Sequence, residues 1–240
     1  MKLIADLHTH TLASGHAYST VNELAQAAAA KNLLALGISD HGPAMPGGPH
    51  RYHFCAMRFI PKEIAGVRIL RGIEANIIDP TGRLDLAIGD MTHLDYVIAG
   101  IHDHCGFPEG ADGNIDLNTR ALLAAMEHPR VKYISHPGNP EFPVHYRQIV
   151  EAAKATGTAL EINNSSLGLS RVGSAGNCLK IARLCAEIGA PVAIGSDAHI
   201  AQGVGVFEDA LKLVRDAGIA EEQVINSSLE RLLGFLGLEA

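Results

Sequence analysis

KLIADLHTH, residues 2–10, is an apolar run that breaks off into Asp6, His8 and His10. Six further runs of this kind follow: LALGISD (34–40), VRILRGIEA (67–75), DYVIAGIH (95–102), VKYISH (131–136), TALEIN (158–163) and PVAIGSD (191–197). Each is short, rich in Ile, Val and Leu, and bounded by Gly, Pro, Asn or Asp. Continuous apolar runs of that length fit buried parallel strands better than half-exposed antiparallel ones. Between them lie helical patterns. Thr20 and Glu23 form a capping-box signature ahead of VNELAQAAAAKNL. Others are expected over Asn118–Glu127, Tyr146–Ala155, Asn177–Ile188, Gly205–Ala217 and Leu229–Leu236. The stretches Pro43–Arg58 and Asp103–Asp116 have no clear period and read mostly as loop.

Seven strands alternating with helices imply parallel βα units with right-handed crossovers. They form either an open doubly wound sheet or a closed barrel, one strand short of the usual eight. With 240 residues, no repeat and no linker, the chain reads as one domain over residues 1–240.

The ends of the runs decide between the two. The first ends in His8 and His10, the second in Asp40-His41, the third in Glu74. The fourth ends in His102, the fifth in His136 and the seventh in Asp197 and His199. Only the sixth, with Glu161 and Asn163-Asn164, ends without a strong metal ligand. Ligands at nearly every strand end favour closure, because an open sheet concentrates its site at one switch point. Strand side chains alternate faces, so His8 and His10 point the same way, as do Asp197 and His199. With the loop residue His16, the candidate metal ligands are His8, His10, His16, His41, Glu74, His102, His136, Asp197 and His199.

Zinc takes about four ligands. Nine protein ligands exceed one ion and strain two; three ions fit if a carboxylate bridges, and Glu74 has the two oxygens to do so. An imidazole-rich set suits zinc, and also manganese or iron, whereas calcium and magnesium prefer oxygen. Such ions lower the pKa of bound water and clamp the oxygens of a phosphoryl group.

The rest of the composition narrows the class. The formal net charge is −7, Lys plus Arg total 19, and no basic run occurs, so strong nucleic-acid binding is not expected. No apolar stretch is long enough to span a membrane. Asp6, His8 and His10 interrupt any signal-peptide core. The four cysteines form no CxxC pair, which fits reduced thiols and a cytoplasmic location.

These residues resemble the PHP family, the polymerase and histidinol phosphatase metallohydrolases, and within it the small YcdX-type phosphatases. The similarity runs through DLHTHT (6–11), ASGHAYST (13–20), ISDHGP (38–43), LRGIEAN (70–76), AGIH (99–102), ISHPGNP (134–140), LEINNSS (160–166), SRVGSAGNC (170–178) and IGSDAH (194–199). The resemblance implies a distorted seven-stranded (β/α)7 barrel, a trinuclear zinc centre and a homo-oligomer, with a trimer as the expected form. One ion would take His8, His10, Glu74 and Asp197; a second His16, His41 and His199; a third Glu74, His102 and His136. A bridging hydroxide would attack the phosphorus of a small phosphate monoester. A PHP-type exonuclease or phosphodiesterase and a non-catalytic metal-binding domain are the alternatives. An amidohydrolase is disfavoured, because the position of its bridging lysine is held by His102 and the nearest later lysine, Lys132, opens the fifth strand.

Secondary candidates lie around the expected mouth. Arg171, after the sixth strand, is placed to grip a substrate phosphate through a guanidinium fork. His50, Arg51 and His53 fall in the second βα loop and are expected at the pocket rim. His104 is the candidate to protonate the leaving oxygen. Asp6 and Asp40 are expected to orient metal-bound imidazoles.

Overall fold

The computed structural model describes residues 1–108, 113–168 and 170–239. Residues 109–112, part of the loop expected over 103–116, lie outside the described residues, as do Leu169 and Ala240.

The apolar runs are strands: β1 (Ala5–Asp6), β2 (Ala35–Ile38), β4 (Val67–Arg71), β5 (Glu74–Asn76), β6 (Val97–Gly100), β7 (Val131–Ile134), β8 (Ala159–Asn163) and β9 (Val192–Gly195). A short β3 (Glu63–Ile64), absent from the sequence reading, pairs antiparallel with β4 at a sheet edge. The helices are α1 (Val21–Ala30), α2 (Tyr52–Ala56), α3 (Ile115–Met126), α4 (Tyr146–Thr156), α5 (Ser174–Ile188), α6 (Glu208–Ala217) and α7 (Leu229–Leu236). The Thr20–Glu23 capping box is formed and starts α1. Helix α3 begins three residues earlier than expected, because the Asn114 side chain accepts the Leu117 N–H and caps it there. Helices α4, α5, α6 and α7 end on the left-handed glycines Gly157, Gly189, Gly218 and Gly237. The stretch expected as loop over Pro43–Arg58 contains α2 and leads into a 3-10 turn at Met57–Phe59.

The strands fall into two sheets, ordered β1-β2-β4-β3 and β5-β6-β7-β8-β9. Apart from β3–β4, all pairings are parallel. This differs from the expected single ring of seven strands. The third run is split at Gly72-Ile73, where the backbone passes so close to the Tyr96 ring that a Cβ on Gly72 would lie 2.4 Å from Tyr96 Cζ. The halves belong to different sheets, yet backbone bonds continue across the gap: Gly72 N–H to Ile38 O and Glu74 N–H to Asp40 O on one side, Ile98 N–H to Ile73 O on the other. The sheets also meet at an isolated parallel bridge, Thr9 with Ala198.

Two apolar clusters result. The larger lies between strands and helices, built from residues such as Leu24, Leu36, Ile69, Val97, Leu160, Ile181 and Ile194. The smaller joins the other strand faces, Ala5, Ala35, Leu70, Ile98, Tyr133, Ala159 and Ala193, to Leu232 and Leu236 of α7. Helix α7 therefore packs at the amino ends of the strands, and the carboxyl ends are left for the site. Among the described residues, no helix is long and apolar enough to cross a membrane.

Candidate metal centre

Most of the nine residues follow closely on a strand. His8 and His10 follow β1 and keep the shared direction expected of an HxH pair, with ring centroids 5.0 Å apart. His41 follows β2 and forms an isolated parallel bridge with Glu74, the first residue of β5. His102 and His136 stand two residues beyond β6 and β7; Asp197 and His199 follow β9. His16 comes from the loop after a 3-10 turn at Leu12–Ser14.

The nine residues converge, and Glu74 is at their centre. Its Oε2 lies 3.2 Å from His8 Nε2, 3.5 Å from His10 Nε2 and 3.0 Å from His41 Nδ1. Its Oε1 lies 3.1 Å from His102 Nε2 and 2.9 Å from His136 Nε2, which are themselves 3.1 Å apart. Asp197 Oδ1 completes a ring of donors, 3.6 Å from His8 Nε2 and 3.3 Å from His10 Nε2. The third group is looser: the His16 ring is centred 5.0 Å from both His41 and His199, which are 6.1 Å from each other.

Five of these buried atoms have no hydrogen-bond partner among the described residues: His8 Nε2, His10 Nε2, His41 Nδ1, Glu74 Oε2 and Asp197 Oδ1. Buried polar atoms without partners are costly, and five aimed at one point ask for a ligand. The spacing fits a cation. Zinc–ligand bonds of about 2.0–2.1 Å in a tetrahedron put neighbouring donors about 3.4 Å apart, and Glu74 Oε2 and Asp197 Oδ1 each lie 3.2–3.6 Å from both His8 Nε2 and His10 Nε2. Three donor groups drawn from these residues are compact enough to hold an ion: His8–His10–Asp197, His41–Glu74–His102 and His10–His41–His199.

Charge states suit the same purpose. Burial, reinforced by the neighbouring His41, lowers the His10 pKa to about 3. Burial, reinforced by Arg171, does the same at His136. Both imidazoles are therefore neutral and can donate a lone pair. Burial opposes ionisation of Glu74 and Asp197, but the surrounding cationic groups, His8 foremost, outweigh it and hold both pKa values well below the ordinary carboxylate range. His8 is the exception. Burial alone would lower it, yet Glu161, Glu74 and Asp197 raise it well above 6.5. The backbone is strained here too: of six non-glycine residues with positive φ among the described residues, His136, Arg171 and Asp197 are at the site.

A PHP domain matches residues 6–165, about two thirds of the chain. The chain belongs to the PHP domain family. Relatives extend this over nearly the full length. A "Probable phosphatase" of Syntrophotalea carbinolica is 52% identical over 238 residues, covering 99% of this chain and 98% of that protein. Another of Thermoanaerobacter sp. is 46% identical, covering 98% and 95%. Among solved structures, the fold is similar to histidinol phosphate phosphatase from Lactococcus lactis, complexed with zinc, L-histidinol and phosphate (TM-score 0.64, 14% identity, 92% of this chain and 95% of that one). It is also similar to a chain of archaeal ribonuclease P (TM-score 0.57, 10% identity, 96% and 90%).

Around the PHP cluster opens a cavity of about 800 Å³, lined by His16, His41, His102, Asp197 and His199, with Arg171 on its wall. Arg171 Nη1 donates to Asp197 Oδ2 at 2.9 Å, to Ser170 Oγ at 3.1 Å and to Ser166 Oγ at 3.3 Å. Burial would lower its pKa, but Asp197 and Glu74 raise it, so the cation is locked in. Arg171 thus also braces Asp197, which its sequence position did not disclose.

Other expected residues stand elsewhere. His50 and Arg51 are exposed and are not among the residues lining the cavity. Arg51 reaches outward to Asp90, 3.2 Å away. His104 is also exposed and off the cavity wall, its ring pairing with Asp103 at 2.9 Å. His53 is half-buried and contacts Asp40 at 3.2 Å. Asp40 acts through Ser14, whose hydroxyl donates to Asp40 Oδ1 at 2.7 Å and lies 3.3 Å from His10 Nδ1. Among the described residues Asp6 bonds no imidazole ring: it accepts from the Ser196 hydroxyl and from the backbone N–H groups of His8, Ser196 and Gly205. The residue the strand-end reading passed over is Glu161, buried and 2.7 Å from His8 Nδ1. An acid in the middle of an apolar run, on the same strand face as Ala159 and Asn163, was the available signal.

Proposed function

We propose that this PHP protein is a phosphatase that hydrolyses a small phosphate monoester at a trinuclear metal centre. The observation that carries this is Glu74, whose two oxygens face two separate imidazole groups while five buried donor atoms around it lack partners. His8, His10, Glu74 and Asp197 would hold one ion, Glu74, His102 and His136 another, and His16, His41 and His199 a third. Zinc suits the imidazole-rich donor set, and manganese or iron share it. When bound, such ions supply Lewis acidity and water activation near neutral pH. The chain itself contributes a neutral His10 and His136, ionised Glu74 and Asp197, and Arg171 as a fixed cation on the cavity wall for the phosphate dianion.

A distorted seven-stranded barrel is our reading of the architecture. Its support is the continuous bonding along residues 67–76, counted as one strand, and the Thr9–Ala198 bridge. A small substrate is favoured over a nucleic acid because Arg171 is the one Lys or Arg among the described residues lining the cavity. The reducing location we assign rests on four free cysteines, Cys55, Cys105, Cys178 and Cys185.

The test is metal quantification on protein purified without added metal, followed by a phosphomonoester panel and labelled single-stranded DNA. About three ions per chain, with phosphate release from monoesters, is the expected outcome given zinc's preference for about four ligands. One ion per chain refutes the trinuclear centre, and a fully metallated protein without phosphate release refutes the activity.

A further inference from the structure

One buried carboxylate outside the nine ligands touches two of them and is linked to a third. Glu161 Oε1 lies 2.7 Å from His8 Nδ1. Glu161 Oε2 accepts the backbone N–H of His136 at 2.9 Å and the Asn163 side-chain amide at 3.1 Å. That amide also donates to Asp197 Oδ2 at 3.2 Å. Residues from beyond β1, β7 and β9 are therefore tied to one side chain on β8. Space for it is provided across the sheet: a Cβ on Gly195 would lie 2.3 Å from Glu161 Oε1 and 2.8 Å from His8 Cβ.

We propose that Glu161 is the positioning residue that commits His8 Nε2 to metal binding and registers the His8 subsite against the His136 subsite. The inference rests on the metal centre proposed above. In that contact a carboxylate oxygen accepts, which places the hydrogen on Nδ1 of His8. When His8 binds a metal as the neutral imidazole, the lone pair is then left on Nε2, the atom that faces Glu74 and Asp197 without a partner among the described residues. The second oxygen holds the N–H of His136, a residue whose φ of 32° would otherwise relax. Carboxylate support of this kind fixes tautomer and ring orientation.

Glu161→Gln separates this from a bracing role. A glutamine has one oxygen, and His136 N–H and the Asn163 amide both require it. Its NH2 then faces His8 Nδ1, which becomes the acceptor, and the ring proton moves to Nε2 and blocks the metal. The experiment titrates zinc against a competing chelator on wild type, Glu161→Gln and Gly195→Ala, with melting curves of the zinc-free forms and ¹⁵N imidazole spectra of the zinc-loaded wild type. We expect Nδ1–H and zinc on Nε2 at His8 in the wild type, and about 10- to 100-fold weaker zinc binding in both variants. A bracing role alone would lower the melting temperature of the zinc-free forms and leave zinc affinity of the folded protein unchanged. Wild-type affinity in folded Glu161→Gln overturns the proposal, and so does zinc on His8 Nδ1 in the wild type, a result that needs no variant to fold. A wild type that takes up no zinc overturns the metal centre instead.

Discussion

Arg171→Lys keeps the positive charge beside Asp197 and removes the guanidinium fork. Nη1 is committed to Asp197, Ser170 and Ser166 at 2.9, 3.1 and 3.3 Å. A guanidinium has five N–H donors, so Nε and Nη2, which make no hydrogen bond among the described residues, remain for a phosphate in the cavity that Arg171 lines. Lysine is a point donor. It satisfies Asp197 but does not present two N–H groups to a phosphate as well. The loss is about one charge-assisted hydrogen bond, about 1.5–3 kcal/mol, or roughly 10- to 150-fold in binding. We expect KM for a phosphomonoester and the inhibition constant of inorganic phosphate to rise together by that factor, with a smaller change in kcat. Steady-state kinetics with phosphate as product inhibitor, run on protein of measured metal content, checks this. Unchanged KM and phosphate inhibition at full metal content refute the phosphate-gripping role. A fall in metal content that accounts for the whole activity loss would mean that Arg171 serves Asp197 alone.

Chelation should destabilise the fold: one ion at a hundred times its Kd adds about 2.7 kcal/mol, so its removal lowers Tm by roughly 5–10 °C for a chain of this size. A melting curve unchanged by chelator and by zinc add-back would contradict the centre. Zinc uptake should release protons, because His8, raised well above 6.5 in the metal-free protein, must become neutral to coordinate. Its raised pKa stabilises the metal-free fold fully below pH 6.5, and that contribution is lost as pH rises through the folded value, while zinc affinity rises over the same window. Calorimetry in two buffers of different ionisation enthalpy reads the proton, and equal heats would count against it. Gly37→Ala should cost about 2–4 kcal/mol by urea unfolding, from overpacking plus a lost hydrogen bond. Its Cβ would stand 2.0 Å from the Tyr96 hydroxyl, which donates to Leu7 O at 2.7 Å; an unchanged urea midpoint would mean that this inner layer yields freely.

The candidate ligand set was legible in the sequence because strand ends are local features. An apolar run followed by His, Asp or Glu needs no tertiary information to be read, and two-residue alternation puts His8 and His10 on one side. The helices were legible to within a few residues for the same reason, since capping and periodicity are written in adjacent positions. Rim residues were not. His50, Arg51 and His104 belong to loops of the right strands, but a loop's direction depends on what it packs against, and Arg51 turns to Asp90 while His104 turns to Asp103. The third run read as one strand because the break at Gly72 is imposed by Tyr96, a residue 24 positions later.

Sequence alone therefore determined the parallel α/β class, the nine candidate ligands and Glu74 as the carboxylate able to bridge. Tertiary structure alone decided that Glu74 faces five imidazole nitrogens, that Arg171 is spent partly on Asp197, and that Glu161 stands behind His8 and His136. The physical reason is range. Strand polarity and alternation act over a few residues, whereas the second contacts of a buried carboxylate or guanidinium join segments up to 153 positions apart, as between His8 and Glu161, and exist only once the chain has folded.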